Sequence, residues 1–161
     1  MSEIDAKSFW RALGMRAVGV TIVTAQGDDG PAGFLALSAT HVTADPPSML
    51  VSIDDRTQAL KAVLASRAFA INYLSAADQP IAESFGGKGA LKGADRFEPG
   101  RWQSLVTGAP VFSGAVGVID CRLEETFRYH RTTIAVGRVA AFHLSERSDA
   151  LVFYRGQYRN L

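Results

Sequence analysis

Residues 20–38, with the sequence VTIVTAQGDDGPAGFLALS, contain two apolar segments on either side of a turn. The first segment, residues 20–24, is rich in β-branched side chains, which favour a strand. Residues 26–31 carry the glycine, aspartate and proline typical of a tight turn, and residues 32–38 are apolar again. This stretch therefore predicts a β-hairpin.

Further segments of strand character follow the hairpin. The sequence predicts strands over residues 48–53, 67–74, 113–123, 131–142 and 150–154. Asp45-Pro46-Pro47 is expected to end the segment before it, because proline cannot continue a ladder. Strands predominate without a regular alternation of strands and helices. The predicted fold is therefore mainly β, an antiparallel barrel with peripheral helices.

Three helices are predicted at the margins of this barrel. The first covers residues 8–16, and its apolar side chains recur at spacings near three and four and would share one buried face: Phe9, Trp10, Leu13 and Ala17. The second covers residues 58–66 after the N-cap residue Thr57, with an apolar face formed by Ala59, Leu60, Val63 and Leu64. The third covers residues 77–85 and ends at Gly86-Gly87, where glycine suits a C-cap.

The composition is that of an ordinary globular protein. The chain has 161 residues, of which 47% are hydrophobic and 20% charged, so we expect one domain over residues 1–161. A net charge of +1 argues against a nucleic-acid or anionic-membrane ligand, each of which needs a basic surface. No stretch approaches the roughly 18 apolar residues of a membrane span, and the polar N-terminal segment lacks a secretory signal pattern. A cytoplasmic location is expected.

Few residues could carry chemistry by themselves. Cys121, the single cysteine, lies in a strand-like run and is interpreted as a small buried hydrophobe rather than a reactive thiol. His41, His130 and His143 are far apart in the sequence and show no metal-ligand spacing. The sequence therefore predicts no metal site.

Two polar segments have two interpretations each. Gly86-Gly87-Lys88-Gly89 follows a helix instead of preceding one, which is the wrong polarity for a phosphate loop. It fits a C-cap that leads into a loop over residues 88–100, or a lid that carries Lys88, Lys92 or Arg96 over a ligand. Residues 129–133, Tyr-His-Arg-Thr-Thr, fit a solvated turn or a grip on a planar or anionic ligand.

A series of short motifs along the chain, taken in order, resembles a known protein family. The motifs are Phe9-Trp10-Arg11-Ala12-Leu13-Gly14, Val18-Gly19-Val20-Thr21-Ile22-Val23-Thr24, Gly33-Phe34, Asp45-Pro46-Pro47, Phe69-Ala70-Ile71-Asn72, Phe85-Gly86-Gly87-Lys88, Arg96-Phe97, Trp102-Gln103, Thr107-Gly108-Ala109-Pro110, Asp120-Cys121-Arg122 and Tyr154-Arg155-Gly156-Gln157-Tyr158. This succession resembles the small flavin reductases that supply reduced flavin to partner monooxygenases.

The resemblance implies a fold and an activity. The fold is a split β-barrel that binds FMN or FAD at the interface of a homodimer. The activity is hydride transfer from NADH or NADPH to the flavin, after which the reduced flavin diffuses to a separate monooxygenase. The flavin carries the reaction, so no catalytic triad is needed. The alternatives are a flavin-binding relative that reduces another acceptor, or a noncatalytic dimer that carries flavin.

The same resemblance implies the site residues. The strand along the flavin ring corresponds to Leu35, Ala36, Leu37 and Ser38. The turn that holds the ribityl phosphate corresponds to Ser52, Ile53, Asp54, Arg56 and Thr57, at a helix start whose free N–H groups favour an anion. Phe85 and Lys88 come from the loop that approaches the flavin.

The sequence departs from the family pattern in two places. Members typically carry Gly-Asp-His or Gly-Thr-His where this chain has His130-Arg131-Thr132, so His130 is the candidate for the histidine near the nicotinamide. Leu35 and Leu37 replace the Thr and Ser that relatives often have, so two hydroxyls beside the flavin are lost. Main-chain groups can still make contacts there.

Overall fold

The computed structural model describes residues 3–161. Its helices are α1 (Ala6–Leu13), α2 (Gln58–Ser66) and α3 (Gln79–Phe85), with 3₁₀ turns at Ala76–Asp78 and Gly93–Arg96. Its strands are β1 (Val18–Gly19), β2 (Thr21–Gly27), β3 (Gly30–Ala36), β4 (Thr40–Ala44), β5 (Pro47–Asp54), β6 (Ala68–Tyr73), β7 (Trp102–Ser104), β8 (Pro110–Phe112), β9 (Gly117–Tyr129), β10 (Thr132–Leu144), β11 (Leu151–Tyr154) and β12 (Gln157–Asn160). Strands predominate, as the sequence predicts.

The largest sheet has seven strands in the order β3-β2-β6-β9-β10-β5-β4, and every neighbouring pair is antiparallel. The predicted hairpin is confirmed, because β2 pairs with β3 from Thr21 opposite Ala36 to Gly27 opposite Gly30. Gly30 has a φ of 111°, which an L side chain rarely adopts, so glycine suits the turn. Two smaller sheets, β1-β11-β12 and β7-β8, lie outside this one.

The connection between β3 and β4 curls the sheet into a barrel. These two strands lie at opposite edges, and a flat sheet of seven strands would hold its edges about 29 Å apart, at roughly 4.8 Å a step. The chain from Ala36 to Thr40 reaches at most about 14 Å. The two edges must therefore come close together, although β3 and β4 share no ladder. This is the split β-barrel that the resemblance implies.

Two apolar clusters cover both faces of β2. Val23 belongs to the first cluster, inside the barrel, with Phe69 and Val51. Ile22 belongs to the second cluster, which α3, β8 and β11 cover from outside with residues such as Phe85. On β5 the side chains alternate, so Val51 points inward and Leu50 outward. The side chains on this outer face of β5 are only half-buried.

The second helix begins as predicted. The Thr57 hydroxyl accepts the Leu60 N–H at 3.2 Å, which is an N-cap bond. Its buried face contains Ala62 where the sequence predicts Leu64, whose side chain is 44% exposed. The C-cap of α3 at Gly86-Gly87 is also confirmed, with a positive φ at Gly87.

The prediction of a buried face on the first helix is wrong for this chain alone. The helix covers Ala6–Leu13 rather than residues 8–16, and none of its residues is buried. Phe9 is 53% exposed and Trp10 65% exposed. The helix is joined to the β11–β12 turn by the Arg155 N–H, which donates to the Gly14 carbonyl at 2.8 Å. Its apolar face therefore points away from its own barrel.

Several predicted strand boundaries are also wrong. The strand β3 ends at Ala36 rather than residue 38, because the chain turns there towards the opposite edge. Pro47 begins β5 instead of lying between strands, a position where its missing N–H breaks no ladder bond. Residues 113–116 form a turn before β9, and β9 continues past residue 123 to Tyr129 because β10 pairs with it throughout.

Candidate functional site

The predicted ring strand and the predicted phosphate strand meet where the barrel edges approach. The Ser38 hydroxyl donates to the Ser52 carbonyl at 3.3 Å and accepts the Ser52 N–H at 3.3 Å. In the β4–β5 ladder, Thr40 lies opposite Leu50. The same register, extended by two residues past the end of the ladder, places Ser38 opposite Ser52. We call the contact between residues 37–39 and β5 the seam. It brings the predicted ring strand to the predicted phosphate turn through Ser38 and Ser52, which are 14 positions apart in sequence.

The predicted ring strand offers apolar side chains and main-chain groups at the seam. Leu35 and Leu37 are half-buried against the second apolar cluster. Ala36 is buried, and its carbonyl accepts the Thr21 hydroxyl at 2.7 Å. A small cavity of about 210 Å³ adjoins the seam and is lined by Leu37, Ser38 and Tyr73 among others. Burial raises the pKa of the Tyr73 hydroxyl above its ordinary value, so it stays neutral near pH 7.

The turn after β5 holds a charged pair at the start of α2. Arg56 donates to both carboxylate oxygens of Asp54, from Nε at 3.0 Å and from Nη2 at 2.7 Å. Hydrogen bonds from Arg56 hold the pKa of Asp54 well below its ordinary value. The Arg56 side chain is 74% exposed, so it can reach another anion. Thr57 fixes the turn, because its hydroxyl donates to the Asp54 carbonyl at 2.9 Å.

The tip of the β9–β10 hairpin lies against this turn. Thr132 pairs with Asp54, and the Asp55 N–H donates to the Arg131 carbonyl at 3.0 Å. The Asp55 carboxylate accepts the Thr133 hydroxyl at 2.6 Å and pairs with Arg128 at 2.9 Å. The polar segment over residues 129–133 is thus part of a solvated, hydrogen-bonded turn. That turn is fixed beside the predicted phosphate residues.

His130 occupies the exposed end of the hairpin. Its φ of 51° is left-handed, and its ring meets the Tyr129 ring edge-on at 4.4 Å between centroids. His130 and Arg131 form a two-residue turn between Tyr129 and Thr132, which pair with each other. The structure therefore places His130 next to the turn over residues 54–57.

Phe85 lies at the end of α3 and belongs to an aromatic group. It contacts Phe97 at 5.2 Å and Trp102 at 5.6 Å between ring centroids. The side chain of Phe85 is buried, whereas Lys88 is exposed and its N–H caps α3 by donating to the Glu83 carbonyl at 2.9 Å. Of these two predicted loop residues, only Phe85 has its side chain packed into the fold.

A groove joins Phe85 to the start of α2. It has a volume of about 690 Å³ and lies between the β2–β3 hairpin, one face of α2, the end of α3 and the 3₁₀ turn Gly93–Arg96. We call it the hairpin groove. Thr57 and Phe85 both line it, so the structure brings these two predicted residues together although 28 positions separate them in sequence.

Arg96 and Asp55 are polar residues of this region that the predicted site set does not contain. Arg96 lines the hairpin groove, and its guanidinium lies 4.7 Å from the centre of the Phe85 ring. The sequence offered one signal for it, as a cation on the candidate lid. Asp55 accepts bonds from residues more than seventy positions away, and no local pattern could have indicated those contacts.

Comparison with known proteins assigns this architecture to a family. The sequence profile described as "Flavin reductase like domain" matches residues 14–161, which is nearly the whole chain. The chain belongs to the flavin reductase like domain family. The match includes the hairpin, the seam, the hairpin groove and the His130 turn.

Individual relatives agree with this assignment. FMN reductase (NADH) RutF of Bradyrhizobium diazoefficiens is 31% identical over 161 residues, covering 100% of this chain and 88% of the relative. The solved structure of BorF, the flavin reductase component of a bacterial two-component tryptophan halogenase, has 31% identity and a TM-score of 0.89 over 98% of each chain. The NADH:FAD oxidoreductase SgcE6 of Streptomyces globisporus C-1027 has 26% identity and a TM-score of 0.86 over 99% of this chain and 96% of that one.

These matches confirm the predicted family, the split-barrel fold and the flavin reductase activity. The site residues stay predictions. The residues present fit a flavin in kind, because the seam combines apolar side chains and main-chain groups with a nearby exposed arginine. As a separate finding, the helices described over residues 3–161 include none that is long and apolar enough to cross a membrane.

Proposed function

We propose that this flavin reductase binds FMN across the seam and reduces it with NADH. The observation that carries the proposal is the Ser38–Ser52 contact, which joins the ring strand to the phosphate turn on one continuous surface. The relatives named FMN reductase (NADH) support the choice of flavin and hydride donor. When bound, the flavin accepts the hydride, and the protein binds and orients both nucleotides.

The ring strand supplies a wall rather than polar side chains. Leu35 and Leu37 give apolar surface. The main chain of residues 37 and 38 lies past the end of the β2–β3 ladder and can give donors in place of the lost hydroxyls. Ser38 already donates and accepts within the seam, so its hydroxyl positions the wall. Phe85 belongs to the apolar cluster behind this wall, and the next residue, Gly86, packs closely on it, since an added Cβ there would lie 3.0 Å from Leu35.

The phosphate turn supplies the charge. Arg56 is exposed, and a ribityl phosphate can take its donors in place of the Asp54 carboxylate. Thr57 and the first N–H groups of α2 lie beside it, where an anion is stabilised. Ser52 is half-buried and can contribute its hydroxyl, because Ser38 already occupies both of its main-chain groups. Ile53 can contribute only through its main chain, since its side chain is fully buried in the barrel. Lys88 lies on an exposed segment and adds positive charge near the flavin.

His130 is the residue that we assign to the nicotinamide. Its turn is held against Asp54 and Asp55 by the Thr132 pairing and the Arg131 carbonyl. The ring is exposed on the side where a second nucleotide can approach. A hydrogen bond from the imidazole to the carboxamide of NADH would orient the hydride-bearing ring.

A second copy of the chain completes the site in this proposal. The outer face of the sheet beside Ser52 is apolar: Leu50, Ile134 and Val136 are half-buried, and Phe127 is 55% exposed. Ile134 lies opposite both Ser52 and Phe127, so this face is continuous with the seam. A homodimer would cover this apolar face and one side of the flavin.

The reduced flavin then leaves for a separate flavin-dependent monooxygenase. The relative BorF, a reductase component of a two-component system, supports this arrangement. The test measures FMN binding by fluorescence quenching and then FMN-dependent oxidation of NADH. Binding with turnover supports the proposal, whereas binding without turnover with NADH or NADPH would make the protein a flavin carrier or a reductase of another acceptor.

A further inference from the structure

We propose that Asp55 is a positioning residue for the reduction of the flavin, because its carboxylate fixes the His130 turn against the phosphate turn. The proposal rests on the proposed function, in which His130 orients the nicotinamide and Arg56 binds the flavin phosphate. In that account Asp55 touches neither nucleotide and acts through His130. Its side chain is 17% exposed, whereas that of the neighbouring Asp54 is 41% exposed.

The His130 turn lies beyond the ends of the sheet ladders. The strand β10 pairs with β5 as far as Thr132 opposite Asp54, and the ladder of β9 with β6 ends at Arg122. Near the tip of the hairpin, β9 is therefore an edge strand that pairs with β10. An exposed turn of this kind opens locally at little cost in free energy. A contact past Asp54 is needed to keep the His130 ring in one position.

The Asp55 carboxylate makes this contact with both strands of the hairpin. One oxygen accepts the Thr133 hydroxyl at 2.6 Å, and the other pairs with Nε of Arg128 at 2.9 Å. Thr133 and Arg128 lie opposite each other, and the next pair towards the turn is Thr132 and Tyr129. The carboxylate thus joins β9 to β10 close to the turn. Hydrogen bonds to an ionised carboxylate are stronger than those between neutral groups.

The main chain of Asp55 makes a third contact, on the turn itself. Its N–H donates to the carbonyl of Arg131, the residue next to His130, at 3.0 Å. Arg56 is the residue that follows Asp55. The proposed phosphate ligand and the proposed nicotinamide ligand are therefore connected through this one residue, so a change in its side chain moves the imidazole relative to the flavin.

The bond to Thr133 is the more important of the two carboxylate contacts. The Thr133 side chain is buried with 8% of its surface exposed, whereas the Arg128 side chain is 73% exposed. Exposed ion pairs contribute little to stability, but a buried hydroxyl without an acceptor is costly. Without the Asp55 carboxylate, the hairpin tip must shift to bring the Thr133 hydroxyl to water, and the His130 turn shifts with it.

Asp55→Ala removes both carboxylate contacts and is the test variant. Thr133→Val removes the buried hydroxyl with little change of shape, and it serves as a second variant in case Asp55→Ala does not fold. Asp55→Asn is the conservative variant, since its amide oxygen can still accept the Thr133 hydroxyl. The matched control is Glu124→Ala, because Glu124 also pairs across β9 and β10, with Arg138 at 2.7 Å, but away from the turn.

The KM for NADH and the Kd for FMN are measured for each variant. We expect Asp55→Ala to raise the KM for NADH roughly 2- to 10-fold, the effect of one lost hydrogen bond to the nicotinamide, at an unchanged Kd for FMN. Thr133→Val should change the KM in the same direction, and Asp55→Asn should stay close to wild type. An unchanged KM in both Asp55→Ala and Thr133→Val, or an equal rise in Glu124→Ala, overturns the proposal.

A double variant shows whether Asp55 acts through His130. His130→Asn already removes the imidazole, so adding Asp55→Ala to it should raise the KM for NADH no further. A residue with a separate role would give an additive effect. A further rise of the same size as in Asp55→Ala alone therefore overturns the proposal.

Hydrogen exchange keeps this test independent of the reductase activity. The amide protons of residues 129–132 should exchange faster in Asp55→Ala than in wild type or in Glu124→Ala. Faster exchange there supports the role of Asp55 in fixing the turn even if the protein oxidises no NADH, in which case only the proposed function fails. Normal turnover in Asp55→Ala, together with exchange equal to that of wild type, overturns the proposal and leaves the proposed function intact.

Discussion

The Ser38 hydroxyl lies between the two main-chain groups of Ser52, at 3.3 Å from the carbonyl oxygen and 3.3 Å from the nitrogen. One side chain thus satisfies both hydrogen-bonding groups of a residue on the opposite edge of the sheet. Because β3 and β4 share no ladder, this contact helps to hold the barrel edges together where the flavin is proposed to bind.

Ser38→Ala removes both of these hydrogen bonds. We expect a loss of about 1–3 kcal/mol in the free energy of unfolding, since each of the two bonds contributes roughly 0.5–1.5 kcal/mol. The FMN affinity should fall as well, because the wall over residues 35–38 loses its anchor. Urea unfolding and FMN titration check this, with the exposed Ser113→Ala as the control. Unchanged stability and affinity in Ser38→Ala would show that the seam is not held this way.

Arg56→Ala tests the phosphate turn. Losing a charge-assisted hydrogen bond to a phosphate costs about 1.5–3 kcal/mol, so we expect FMN to bind roughly 10- to 100-fold more weakly. Riboflavin has no phosphate, and its affinity should stay the same. Fluorescence titration with both flavins gives the comparison, and Arg122→Ala, an exposed arginine on β9, is the control. An equal loss of riboflavin affinity would show that Arg56 does not bind the phosphate.

Gly33→Ala tests the packing between the hairpin and Phe85. An added Cβ would lie 2.9 Å from the Val23 carbonyl oxygen and 3.0 Å from the Phe85 ring, so one of them must move. We expect a loss of about 1–3 kcal/mol in stability, as for other overpacked sites. Gly19→Ala has nothing within 4 Å of its Cβ and should stay within about 0.5 kcal/mol of wild type. Equal unfolding midpoints for the two variants would contradict this packing.

Cys121 makes the stability fall at high pH. Burial raises the pKa of its thiol to about 12, whereas the unfolded thiol titrates near its ordinary value of 9.0. The unfolded state therefore loses its proton first, and between these values the native state loses up to about 1.4 kcal/mol of stability per pH unit. Cys121→Ala should flatten this slope relative to wild type in urea titrations at several pH values. Identical slopes would contradict the assignment, as would rapid labelling of the native thiol by a disulfide reagent.

His130→Asn tests the nicotinamide assignment. Asparagine tolerates the left-handed conformation of this turn, so the hairpin should keep its shape. We expect a higher KM for NADH at an unchanged Kd for FMN. His143→Asn, at an exposed position on β10, serves as the control. If the KM for NADH stays at the wild-type value, His130 has no role in binding the nicotinamide.

Local patterns in the sequence predicted the hairpin, the Thr57 cap and the C-cap at Gly86-Gly87, because each depends on residues within a few positions. The buried Cys121 was also predictable from its strand-like run. The exposed face of α1 was not, since an apolar stripe indicates that something covers it but not whether the covering surface belongs to the same chain.

The site depended on contacts that local patterns do not contain. The seam joins residues 14 positions apart, and the Asp55 network joins residues 78 apart. The resemblance supplied the candidate residues, and the fold shows which of them touch. In the sequence, Arg96 is one of several cations in a glycine-rich loop. Only the fold shows that its guanidinium stacks on the Phe85 ring, which distinguishes it from the others.

A crystal structure of the protein with bound FMN tests the central claim most directly. We predict that the ring lies across the seam at Ser38 and Ser52, with the phosphate at Arg56 and Thr57. A flavin bound away from the seam, for example in the cleft between α1 and the β11–β12 turn at Arg155, would contradict the proposed site.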